Sequence, residues 1–210
     1  YLLLAIKQNL WCWPAAFGST LIYSIIFFDV SLLMDSALNV YYLIMAVYGW
    51  YAWTRPASAN RSMLVVRWLS ARKLTMIIPA CIILIALLTI YIDPVFFYLA
   101  NATANILTIL GFNVTPPKLS PDAFPFFDAT MTILSLVAQI LMTRKYVENW
   151  LIWVVVNVIS IGIYTAQGVY VLAVEYVVLL FIASILGSIA LGGWLLSAKA
   201  MAPKFSRMNP

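Results

Sequence analysis

LSLVAQILMTRKYVENWLIWVVVNVISIGIYTAQGVY, Leu134 to Tyr170, decides how this chain is read. Two apolar runs flank one short charged break, Arg144-Lys145 to Glu148. The second run, Trp150 to Gln167, carries a single Asn at its centre. About 20 apolar residues suffice to cross the hydrocarbon core as a helix. Both runs therefore read as membrane spans, with their charges gathered at one end.

The rest of the chain repeats this pattern. Of 210 residues, 65% are hydrophobic and 9% are charged, with a mean hydropathy of +1.00. A soluble domain carries roughly 25% charged residues to face water, so this chain implies a surface that faces lipid. Six spans follow: Trp11 to Phe28, Leu33 to Trp53, Leu74 to Tyr91, Phe124 to Thr143, Trp150 to Gln167 and Val169 to Leu191. Tyr1 to Lys7 (YLLLAIK) is too short to cross and reads as the tail of a helix.

The apolar stretch from Pro94 to Leu110 needs a further argument. If it does not cross, eleven of the twelve Lys and Arg lie on one side, with Lys118 alone on the other. If it crosses, they divide seven and five. Basic residues accumulate on the cytoplasmic side. The stretch is therefore expected to be an outer loop with room for an interfacial helix, and the C-terminus is expected to be cytoplasmic. No cleavable signal pattern is visible.

A weak internal repeat organises the spans. KQNLWCW (Lys7 to Trp13) matches VENWLIW (Val147 to Trp153), aligning Asn9 and Trp13 with Asn149 and Trp153. Gly49 and Gly187 follow at similar separations. The expected fold is an all-α membrane bundle of two parallel three-helix repeats joined by one linker helix, three plus one plus three. Its parts are 1–53 (first repeat, first helix partial), 54–73 (basic cytoplasmic loop), 74–91 (linker helix), 92–122 (outer loop), 123–196 (second repeat) and 197–210 (cytoplasmic tail). Parallel repeats place a substrate site near the midplane.

Polar groups in hydrocarbon are costly unless paired or facing a wet cavity. Several are aligned here at helical spacing. Asp128, Thr132, Ser135 and Gln139 share one face. Trp150, Trp153, Asn157, Ser160 and Tyr164 share another, and Asn39, Tyr42, Ala46, Trp50 and Trp53 a third. Glu175 lies deep in the last span. Asp35 and Asp128, near the outer surface, read as solvated. Trp11, Trp50 and Trp53 read as interfacial anchors. Ser and Thr on membrane helices usually serve packing, and Asn39, Gln139 and Asn157 could also bond each other across helices.

Several function classes fall away. Histidine is absent, which removes the commonest metal ligand and general base. Cys12 and Cys81 lie in apolar stretches and suggest neither a disulfide framework nor a metal site. No cofactor is expected. A membrane enzyme would need a nucleophile and base in reach of each other, and no such set is visible. The basic residues are dispersed between spans, unlike a nucleic-acid-binding face. A scaffold would not need aligned polar stripes on several helices. A transporter would.

AIKQNLWCWP, DSALNVYYLIMAVYGWYAW and the stretch quoted at the outset together resemble the PnuC family of nicotinamide riboside transporters. The resemblance leaves out mainly Pro94 to Pro121. Its most specific part is Trp150-x-x-Trp153-x-x-x-Asn157, preceded by Glu148 and Asn149. It implies a SWEET-like fold in a bacterial inner membrane, a homotrimer, and facilitated diffusion with intracellular trapping by phosphorylation. It also implies that Trp150, Trp153 and Asn157 bind substrate and that Gln139 offers a polar contact. Asn39 departs from the Gln of many relatives, and Glu175 inherits no role. Tyr42, Ser135, Ser160 and Tyr164 complete the expected site. Thiamine or riboflavin is the alternative cargo.

Overall fold

The computed structural model describes residues 2–6, 9–29, 33–55, 67–109, 111 and 123–205. They form seven helices: α1 (Leu2–Ile6), α2 (Cys12–Asp29), α3 (Leu33–Thr54), α4 (Ala71–Ile109), α5 (Pro125–Thr143), α6 (Asn149–Ala166) and α7 (Tyr170–Phe205). No strand occurs among the described residues beyond one isolated bridge, Arg67 to Tyr146. In hydrocarbon every main-chain polar group must be satisfied internally, so a chain this apolar forms helices. Segments of α4, α5, α6 and α7 are long and apolar enough to cross a membrane. The apolar part of α2 is slightly shorter, and α3 is diluted by its tyrosines and tryptophans.

The outside of the bundle is apolar, and polar side chains join apolar ones inside. Ile82, Ile83, Leu87 and Ile90 on α4, and Val171, Val174 and Phe181 on α7, are exposed. Ser135, Gln139, Thr143, Asn149, Asn157 and Ser160 are buried among apolar residues such as Trp13, Ala138 and Val156. An apolar exterior with polar groups turned inward is what a lipid solvent imposes.

The packing follows a chain of neighbours. α2 lies against α3, α3 against α5, α5 against α6, and α6 against α7. α4 packs mainly on α5 and leaves much of its surface to lipid. At 1.5 Å per residue, Ala71 to Tyr91 spans about 30 Å, one hydrocarbon thickness. The backbone leaves helical geometry at Tyr91 (φ −107°, ψ 15°), three residues before Pro94. Pro94 removes an amide donor and crowds the preceding turn, which explains a bend there. The stretch expected as an outer loop is thus helical as far as Ile109; most of 110–122 lies outside the described residues. The last helix likewise continues past Leu191 to Phe205, into the expected tail.

The break between α5 and α6 ties four helices together at the basic end. Lys145 adopts a left-handed conformation (φ 57°). Its amide bonds the Met142 carbonyl at 3.0 Å and the Tyr146 amide bonds the Leu141 carbonyl at 2.9 Å. These two bonds close α5 with a Schellman motif. The Arg67 amide donates to the Lys145 carbonyl (3.1 Å), and the Val147 amide donates to the Arg67 carbonyl (3.0 Å). Glu148 accepts from the Leu69 amide at 2.7 Å, and Lys73 donates to the Tyr146 hydroxyl at 2.7 Å. On the other side Trp53 Nε1 donates to the Thr143 carbonyl at 3.0 Å, with the Lys145 ammonium 4.3 Å from the Trp53 ring. Burial lowers the Lys145 ammonium pKa below its ordinary value, and a nearby Cys12 partly opposes this. The start of α4 and the end of α5 therefore share one end of the bundle.

Each of the two glycines that follow the repeated segments lies near a tryptophan. A Cβ on Gly49 would run into the Trp13 ring, which also meets Trp53 edge-on at 5.2 Å. Gly187 faces Trp150 rather than Trp153, and an added Cβ would lie 3.4 Å from it. The basic loop at 54–73 is described only at 54–55 and from Arg67 onward.

Gly49→Ala should lower the thermal unfolding midpoint in detergent, consistent with an overpacking cost of about 1–3 kcal/mol. Gly187→Ala, with ordinary contact distance available, should leave it within a degree or two. Equal midpoints for the two variants would contradict the Trp13 contact.

Candidate functional site

A cavity of about 690 Å³ opens among α2, α3, α5, α6 and α7, with Leu2 and Leu4 of α1 at its edge. This volume lies within the range of small-molecule sites, about 300–1,000 Å³. Asn157 stands on its wall eight residues into α6, about 12 Å from the start of the helix and near mid-depth.

Seven of the ten residues expected at the site line this cavity. They are Trp150, Trp153 and Asn157 on α6, Asn39 and Tyr42 on α3, Ser135 on α5 and Glu175 on α7. The α6 face forms because helical spacing stacks its side chains over successive turns. Tyr42 and Trp153 meet at 6.1 Å between ring centroids, with planes inclined 58°. That pair joins α3 to α6 and forms an aromatic corner. Asn39 Nδ2 donates to the Asp35 carbonyl at 2.8 Å, so its amide oxygen is not committed by that bond. Glu175 Oε1 accepts from the Tyr23 hydroxyl at 3.2 Å.

Gln139, Ser160 and Tyr164 are buried but do not line this cavity. Gln139 sits one turn nearer the basic end than Ser135 and is buried outside the cavity lining. The Ser160 hydroxyl lies 2.9 Å from the Val156 carbonyl and 2.8 Å from the Met131 sulfur, a helix-packing arrangement. Tyr164 is stacked on Tyr176 at 5.3 Å with an 18° interplanar angle. Asp35, expected to be solvated, is buried at 7% exposure and faces that tyrosine pair. A carboxylate in the first turn of α3 is favoured by the helix dipole, and the end of α6 covers it. Asp128 is half-buried.

The sequence reading missed the α2 wall: Ser19, Thr20, Tyr23 and Phe27. They recur at helical spacing, so the stripe was visible in principle. The Ser and Thr hydroxyls bond back to the Ala16 carbonyl, at 3.0 and 2.9 Å, which is the usual packing role of such residues. Met131 and Tyr176 were also missed. A Met carries no signal distinguishing a cavity from a core.

Glu175 is the one residue with a formal charge among the described residues lining the cavity, and no Lys or Arg is among them. No cluster of three or more His, Cys, Asp or Glu able to hold a metal occurs among the described residues. The site can stack a flat ring, bond a carboxamide and attract positive charge.

An apolar helical bundle around a largely apolar and aromatic cavity, set with a few polar side chains, is an architecture suited to a membrane transporter. Residues 1–191 match the model of the nicotinamide mononucleotide transporter family, and the chain belongs to that family. It is 48% identical to the nicotinamide riboside transporter PnuC of Escherichia coli K12 over 162 residues, 77% of this chain and 68% of that protein. It is 26% identical to the riboflavin/roseoflavin transporter RibM of Streptomyces davaonensis, over 96% of this chain and 83% of that protein. The fold is similar to the crystal structure of the vitamin B3 transporter PnuC, with a TM-score of 0.61 and 19% identity over 90% of this chain and 74% of that one. The relatives are transporters, so the chain is a multi-pass membrane transporter rather than an enzyme.

Cysteine substitution tests the geometry. Asn39→Cys, on a half-buried position of the cavity wall, should react with a water-soluble maleimide. Ser160→Cys, fully buried and packed against Met131, should resist it. Equal labelling would contradict the placement of the wall.

Proposed function

We propose that this chain carries nicotinamide riboside across the bacterial inner membrane by facilitated diffusion, with phosphorylation inside the cell trapping the cargo. One observation carries the reading: Trp150, Trp153 and Asn157 turn a stacking and hydrogen-bonding face into a cavity at mid-depth. The cargo has a cationic aromatic ring, a carboxamide and ribose hydroxyls. Tryptophan faces attract such a ring by stacking and cation–π contact, roughly 0.5–2 kcal/mol. The Asn157 carboxamide can both donate to and accept from the substrate carboxamide. The 48% identity to the Escherichia coli riboside transporter supports the same cargo.

The charge balance favours the riboside over the mononucleotide of the family's description. A phosphate in a low-dielectric cavity needs a cationic partner, and the described lining supplies none. Riboflavin is a second reading, motivated by the similarity to the riboflavin/roseoflavin transporter.

The architecture we propose is three plus one plus three, with α1 the described part of the first repeat's opening helix and α4 the linker. The basic end faces the cytoplasm together with the C-terminus, as the positive-inside rule requires. A homotrimer in the bilayer is proposed on family resemblance.

Purified protein should bind nicotinamide riboside at least tenfold more tightly than its mononucleotide or riboflavin in a calorimetric titration. Asn157→Ala should abolish most uptake while keeping the wild-type unfolding midpoint, since a lost buried hydrogen bond costs about 1–3 kcal/mol of binding. Uptake that survives in a folded Asn157→Ala variant would exclude this site.

A further inference from the structure

We propose that Glu175 makes the site charge-selective, so that it prefers the oxidised, cationic pyridinium nucleoside over its neutral 1,4-dihydro form. The inference rests on the nicotinamide riboside reading and adds to it a discriminating residue and a substrate that is rejected. The two forms share the ribose and the carboxamide. They differ in ring charge and in a hydride at C4. Stacking area and carboxamide bonding therefore separate them little, and a fixed negative charge separates them strongly.

The geometry supplies that charge. Glu175 lies five residues beyond the start of α7, about 7.5 Å along the helix at 1.5 Å per residue, and lines the cavity. Its carboxylate is held by the Tyr23 hydroxyl from α2, across the cavity mouth. A hydrogen bond to a carboxylate is charge-assisted and orients the group. This side-chain bridge joins the α2 and α7 walls of the cavity. No described Lys or Arg lines the cavity to neutralise Glu175 internally. A carboxylate in such a setting is completed by a cation, and the substrate brings one.

Tryptophan faces also favour a cation over a neutral ring. Removing Glu175 should therefore weaken the preference without erasing it. A partly screened pair of opposite charges corresponds to about a tenfold effect.

The test is the ratio of dissociation constants for nicotinamide riboside and its 1,4-dihydro form, measured by titration on purified full-length chain in detergent. Wild type should prefer the cation clearly. Glu175→Gln should reduce the ratio about tenfold, and Glu175→Asp, which keeps the charge, should retain most of it. Unfolding midpoints check that each variant is folded. Should the Gln variant fail to fold, Glu175→Met removes the same charge at similar volume. A wild type that binds both forms equally, or an unchanged ratio in Glu175→Gln, overturns charge selection and leaves the riboside reading standing. A wild type that binds neither form overturns both.

Discussion

A hydrogen-bonding side chain inside a bilayer has two places to go: onto a partner, or into a space that holds water or substrate. Every feature of this bundle follows from that constraint. Ser160 takes the first route, bonding back into α6. Asn157 takes the second and faces the cavity. The helices present apolar side chains outward because lipid offers no hydrogen bonds. Their polar faces meet because nothing else in the membrane will receive them. The cavity is the common solution for α2, α3, α5, α6 and α7.

That solution needs the helices held in register, and the Arg144 to Asn149 segment supplies much of the restraint. The left-handed Lys145 reverses the chain within a few residues. This sets α5 and α6 antiparallel, so that Ser135 and Asn157 come to the same wall. Tyr146 and Glu148 anchor the start of α4, while Trp53 anchors the end of α3. The charges at this end serve twice: they obey the membrane's preference for basic residues on one side, and they tie the ends of the helices together.

Above that anchor the cavity walls differ in how tightly they are joined. α2–α3 and α6–α7 pack as close hairpins, with glycines admitting Trp13 and Trp150. Between α2 and α7 the described contact is the Tyr23 to Glu175 hydrogen bond. A substrate bound beside that bridge would touch both hairpins at once.

The sequence by itself determined the solvent, the helices and the face that matters. Apolar runs, charge placement and the spacing of Trp150, Trp153 and Asn157 are local properties, and a helix converts spacing into a face without help from its neighbours. Tertiary structure decided which polar faces share one space. Gln139 and Tyr164 lie on the same stripes as lining residues, yet one is buried outside the cavity lining and the other stacks on Tyr176. Asp35 is hidden by the end of α6, a helix more than a hundred residues later in the chain. The α2 wall was hidden because Ser and Thr look the same whether they pack or line a cavity. The direction of a side chain is set by its own helix. What it meets is set by the packing of the others.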